Sequence, residues 1–216
     1  MIRTYDWDFP PFDYPPAREA LVNATQQMLE GTEDSRPSII VADDVSGRIP
    51  GLVVHSALCE LRVPHSVYFI NGRARLTSPN FSKKPLSNIH NTHALLVTEM
   101  VYTGGAIINL MRLLESRGIS QERQSILAIS ATDESDMMLE NIAPSSTRFV
   151  GDRGGALGNY YTDMDPYTGL KKRLHDDAHS ARIPNFNAAL VSAARADARR
   201  LGIQIVESYR KSYPPR

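Results

Sequence analysis

Leu95 to Ala106 reads LLVTEMVYTGGA. Apolar residues beginning at Ala94 run into Thr98-Glu99, an apolar pair follows at Met100-Val101, and Tyr102-Thr103-Gly104-Gly105 closes the stretch. The run ALLV (94–97) has the composition of a buried strand, and helical spacing begins just after the glycines. A strand, a glycine turn and a helix in that order place Glu99 at the carboxyl end of a strand. Such ends are where open parallel sheets bind ligands. The amides of Thr103, Gly104 and Gly105 open a helix, where unpaired N–H groups and the helix dipole attract anions. Glycine lets the backbone approach a phosphate with no Cβ in the way. A carboxylate four residues earlier is about one sugar ring away and accepts hydrogen bonds from hydroxyls. Phosphate at one end and a diol at the other describe a ribose 5-phosphate.

The flanking segments repeat the strand–helix alternation. Pro16 suits a helix start, and Ala17, Ala20, Leu21, Ala24 and Met28 follow at helical spacing up to Gly31. SIIVA (38–42) predicts a strand, DDVSGR (43–48) a polar turn, and Pro50 a helix with Val54, Ala57, Leu58 and Leu61 on one face. VYFI (67–70) predicts the next strand. After the opening stretch, Ile107, Leu110, Met111 and Leu114 predict a helix ending at Gly118. ILAIS (126–130), DMMLENI (136–142) and RFV (148–150) predict strand, helix and strand, and two helices follow at about 187–201 and from Gly202 towards Tyr213. Apolar strands alternating with amphipathic helices make an α/β fold with an open parallel sheet flanked by helices. The expected organisation is an N-terminal arm (1–15), an α/β core (16–150) and a C-terminal cap with helices (151–216).

With 216 residues, 42% apolar and 22% charged, the chain holds one ordinary core. Its 24 acidic and 24 basic residues cancel, which argues against nucleic acid or an anionic membrane as an obligatory partner. Cys59 is the sole cysteine, so no internal disulfide forms and a cytoplasmic location is expected. No apolar run approaches the roughly 20 residues that span a bilayer.

The stretch LLVTEMVYTGGA resembles the phosphoribosyl-diphosphate (PRPP) signature of the type I phosphoribosyltransferases: apolar residues, two acids, two apolar residues, any residue, then Thr-Gly-Gly-Thr. Glu99 takes the second acidic position, and Thr103, Gly104, Gly105 and Ala106 take the 5-phosphate turn. Thr98 replaces the first acid and Ala106 the last threonine. The resemblance extends upstream, where Ser46, Gly47 and Arg48 occupy the place of the family's pyrophosphate turn. Guanidinium suits two-pronged contact with phosphate oxygens, so Arg48 joins Glu99 as an expected catalytic residue. The polar segment 71–93 stands where the family has a mobile lid, with Arg73, Arg75, Lys83 and Lys84 as candidate cations. The match covers about residues 37 to 150. It implies transfer of 5-phosphoribosyl from PRPP to a nucleobase or similar acceptor with release of pyrophosphate, Mg²⁺ as cofactor near Glu99, and, because this fold often pairs, a homodimer. The departures at Thr98 and Ala106 equally suit a non-catalytic protein of the same fold that binds PRPP or a nucleotide as a regulatory signal.

Other patterns are less informative. His175 and His179 in HDDAH stand four apart, as in helical zinc motifs, but Asp176 is a methylene shorter than the glutamate such sites use. HNTH (90–93) reads as loop, DMD (163–165) fits neither a nucleophile nor a metal loop, and GDRGGALG (151–158) reads as a turn-rich connection. Tyr160, Tyr161 and Tyr167 suit packing of a cap or stacking on a base.

Overall fold

A computed structural model describes residues 15–31, 36–43, 47–70, 92–101, 104–153 and 188–213. Among these residues five strands form one sheet: β1 (Ile39–Asp43), β2 (Ser66–Ile70), β3 (Ala94–Val101), β4 (Gln124–Ala131) and β5 (Thr147–Arg153). Their spatial order is β2-β1-β3-β4-β5, and every pairing is parallel. β1, β3 and β4 are buried on both faces, which their near-continuous apolar sequences require. Only Ile70 of β2 is fully buried, as suits an edge strand.

Helices cover both faces. On one lie α1 (Pro15–Glu30), α2 (Arg48–Glu60) and α5 (Ala188–Ser212); on the other lie α3 (Gly105–Ser116) and α4 (Asp133–Ile142). The two-residue period of the strands sorts their side chains between these layers. Ile40, Ala42, Leu95, Val97 and Leu127 face the first layer, and Ile39, Val41, Leu96, Ile126 and Ala128 the second. Among the described residues no helix is long and apolar enough to cross a membrane.

The α/β class and the open parallel sheet expected from sequence are present. Several boundaries differ. β3 continues four residues beyond ALLV, because Thr98, Met100 and Val101 find partners in Ala128, Ser130 and Ala131 of β4. β5 reaches Arg153 for the same reason, with Asp152 opposite Ser130 and accepting its hydroxyl hydrogen at 3.0 Å. α2 starts at Arg48, and Pro50 lies in its first turn, where a missing N–H costs nothing.

The two expected C-terminal helices are one helix of 25 residues, running straight through Gly202. Gly202 sits where α5 crosses α2. A Cβ there would stand 2.5 Å from the Val53 carbonyl oxygen and 2.8 Å from the Ser56 Cβ. The glycine therefore marks backbone contact between two helices. At the far end of this contact Arg210 bonds the carboxylate of Glu60 at 2.7 Å and its carbonyl at 2.9 Å.

The arm up to residue 14, the lid segment 71–91, the cap segment 154–187 and the patterns within them, His175, His179 and the three tyrosines included, lie outside the described residues.

Candidate ligand site at the switch point of the sheet

From β1 the chain moves outward to β2, then returns across β1 to β3 and proceeds through β4 to β5. The direction of winding reverses between β1 and β3, and a parallel sheet opens a crevice beyond its carboxyl ends at such a reversal. Pairing between β1 and β3 stops at Ala42 and Val97, yet β3 continues to Val101 against β4 alone. This leaves a step in the sheet edge beside Thr98 to Val101.

One side of the step is built by the turn after β1. Gly47 donates from its amide to the Asp43 carbonyl at 2.6 Å and accepts at its own carbonyl from the Gly51 amide at 2.8 Å, opening α2. Its φ of −92° is open to any residue, but a Cβ would collide with the carbonyl oxygen of Val97. Glycine is needed here for proximity: the turn presses on β3 two residues before Glu99. Arg48 is the first residue of α2, and its guanidinium lies over the ring of Phe69, 5.7 Å from the centroid. A cation at the positive end of a helix dipole opposes that helix by some tenths of a kcal/mol up to about 1.

The other side is the start of α3. Gly104 is the N-cap with φ 63° and ψ −9°, the left-handed conformation that disfavours a Cβ. Met138 of α4 occupies the space a Cβ would need. Neither α2 nor α3 has a side-chain cap or an acid in its first turn. α4, rising from the same edge of the sheet, has both: Thr132 accepts from the Ser135 amide, and Asp133, Glu134 and Asp136 fill its first turn. The first-turn amides of α2 and α3 have no intrahelical acceptors by helix geometry. Both acid-free amino termini open at the carboxyl edge of the sheet, and helix starts of this kind attract anions.

Glu99 is 2% exposed within this edge and Asp43, at the carboxyl end of neighbouring β1, is 3% exposed. Thr98, beside them, is also buried, and its hydroxyl donates to the Met100 carbonyl at 3.5 Å. Ser135 fixes the end of β3 from below: its hydroxyl donates to the Val101 carbonyl at 2.6 Å.

Of the residues singled out from sequence, Gly47, Arg48, Glu99, Gly104, Gly105 and Ala106 share this edge, with Gly105 exposed and Ala106 half-buried. Ser46, Thr103 and the lid candidates Arg73, Arg75, Lys83 and Lys84 lie outside the described residues. Sequence reading missed Asp43, because DD before VSG resembles a turn; the signal was its place directly after four apolar strand residues. It also missed Ser135, which no pattern in a short polar segment distinguishes.

Neither a protein-family profile nor a curated protein sequence significantly matches this chain. The functional reading consequently rests on the geometry of this corner and on the motif that runs through it.

Proposed function

We propose that the protein is a phosphoribosyltransferase of type I-like fold that transfers 5-phosphoribosyl from PRPP to a nucleobase or similar acceptor, releasing pyrophosphate. The observation that carries this reading is the convergence of the two motif turns, Gly47-Arg48 and Gly104-Gly105, on the one edge where the strand order reverses. The turns are far apart in sequence, yet they follow neighbouring strands, β1 and β3.

In this reading the 5-phosphate sits on the amides opening α3, and Glu99 accepts hydrogen bonds from the ribose hydroxyls. The pyrophosphate lies by Gly47 and Arg48. As the acceptor nitrogen bonds to C1 of the ribose, the bond from C1 to the pyrophosphate oxygen breaks and the electron pair leaves with the pyrophosphate. Positive charge develops on the ring, and the protein's work is positioning and neutralising the leaving group. The buried carboxylates Glu99 and Asp43 are hard oxygen donors of the kind that suits Mg²⁺, which takes one or two carboxylates and completes its shell with phosphate oxygens and water. When bound, Mg²⁺ supplies charge neutralisation on the pyrophosphate.

A second reading has its own observation. Thr98 stands where the signature has an acid, and its hydroxyl is turned to the protein's own backbone. That favours a non-catalytic sensor of PRPP or a nucleotide. Labelled PRPP with Mg²⁺ and a panel of bases separates the two. The enzyme releases pyrophosphate with one base; the sensor binds PRPP, raising the melting temperature by mass action, with no turnover. Absence of any thermal shift with PRPP, ribose 5-phosphate or nucleoside monophosphates removes both.

A further inference from the structure

α2 carries His55 and Cys59 one helical turn apart, and the chain reverses immediately after the helix. The reversal is tight: the Arg62 amide donates to the Cys59 carbonyl at 2.9 Å and the Val63 amide to the Leu58 carbonyl at 2.9 Å. These two bonds form a Schellman closure, and Arg62 occupies its left-handed position with φ 57°. Glycine is the usual residue there, and an L-residue costs about 1–2 kcal/mol. The closure returns His65 to the side of the helix that bears His55 and Cys59.

His55 Nδ1 lies 2.7 Å from His65 Nε2, and the Cys59 sulfur lies 3.7 Å from His55 Nδ1. One donor atom from each of the three residues falls within 4.8 Å of the others. His65 Nδ1 is 2.7 Å from the Val63 carbonyl oxygen. A carbonyl only accepts, so Nδ1 carries the proton and the lone pair of Nε2 points at His55. A carbonyl behind one nitrogen of an imidazole is the usual support of a metal ligand, fixing tautomer and ring orientation.

We infer that His55, Cys59 and His65 form a binding site for a zinc-class divalent metal ion, with two imidazoles and one thiolate as ligands and a fourth position open to water. Two imidazoles with a thiolate match a borderline-soft ion, whereas magnesium and calcium prefer oxygen. Tetrahedral bonds of about 2.0–2.1 Å set two nitrogens roughly 3.3 Å apart, so the imidazoles part by about half an ångström on loading. In the metal-free protein the His55 Nδ1 proton bridges to His65 Nε2. On binding, that proton moves to His55 Nε2 and the Cys59 thiol gives its proton to solvent, so one proton is released per ion. Burial, then His65 and Arg199, lower the pKa of His55. Arg199 opposes a cation and the thiolate charge offsets it. Glu60 is committed to Arg210.

The site lies on the edge of the sheet opposite the candidate ligand site. Arg48 and Cys59 are eleven residues apart on α2, about 16 Å of helix. The ion touches no substrate there and acts as a pin between the end of α2 and the segment leading into β2. This inference does not depend on the proposed transferase activity.

Titration of chelator-treated protein with Co²⁺ reads the site directly. The expected result is a thiolate-to-cobalt charge-transfer band with intense visible bands of a tetrahedral ion, all removed by Zn²⁺. Cys59→Ser abolishes the charge-transfer band, and His65→Gln lowers affinity by about tenfold or more. Zn²⁺ raises the melting temperature of the parent and not of the double variant C59S/H65Q, whose metal-free melt stays close to the parent's. A weak, water-like cobalt spectrum in the parent overturns the inference, as does an equal zinc-induced shift in the double variant.

Discussion

Gly104 holds a backbone conformation that only glycine adopts without cost, at the one position where α3 must open towards the sheet edge. Gly104→Ala places a methyl group at φ 63° and against Met138. We expect a loss of about 1–2 kcal/mol from the backbone alone, and more where Met138 cannot shift. A denaturant melt checks the stability, and the PRPP-induced thermal shift checks the corner. Glu99→Gln tests the corner without touching the backbone. It removes charge from the expected diol contact, and loss of a charge-assisted hydrogen bond of about 1.5–3 kcal/mol lowers PRPP affinity roughly 10- to 100-fold. Unchanged affinity in that variant would remove Glu99 from the site.

His93 gives the residue scale its pH dependence. It bonds Ser125 Oγ at 2.8 Å from Nε2, and burial, assisted by Arg123, lowers its pKa. The unfolded chain then takes up a proton at a higher pH than the folded one. Stability is full above the ordinary histidine value and falls as pH drops through about 6.5, levelling off below the folded pKa. Urea midpoints across this window should decline in the parent and decline less in His93→Gln. At this scale legibility followed chemistry. Glu99 was visible because a carboxylate interrupts an apolar run. Asp43 and Ser135 were not, because each looks like ordinary turn or cap sequence until its neighbours across the fold are known.

Among the elements, α2 and α5 show which contacts carry weight. At their crossing Gly202 admits the backbone of α2, with a Cβ barely 2.5 Å from the Val53 carbonyl. At their ends Arg210 and Glu60 meet on the surface, both substantially exposed. Gly202→Val must push the helices apart, costing about 1–3 kcal/mol or more, whereas Arg210→Ala removes a surface pair worth at most about 1 kcal/mol. Thermal melts of the two variants should differ clearly in that order; equal melts would contradict the packing described. Gly202 was misread as a break because glycine costs about 1 kcal/mol inside a helix. A buried crossing outweighs that, and the sequence does not announce the crossing. The strands had a similar history: their apolar centres were plain, while their ends were decided by ladder partners such as Ser130 and Ala131 for β3.

For the whole molecule, alternation of strand and helix was enough for a parallel sheet covered on both faces. The strand order was not legible, since periodicity says which residues are buried but not beside which strand. It is the order that turns two separated motifs into one corner. The order also separates α1 from its partners. α1 packs on β4 and β5 through Ala17, Ala20, Leu21 and Ala24, and Gln27 donates to the Val150 carbonyl at 3.4 Å across 123 positions of chain. At roughly 5–20 residues per second on a ribosome, α1 therefore waits some 6–25 s for the strand it is meant to cover. Its apolar stripe is made well before the strands it covers, so for that interval it is open to a chaperone that holds nascent chains.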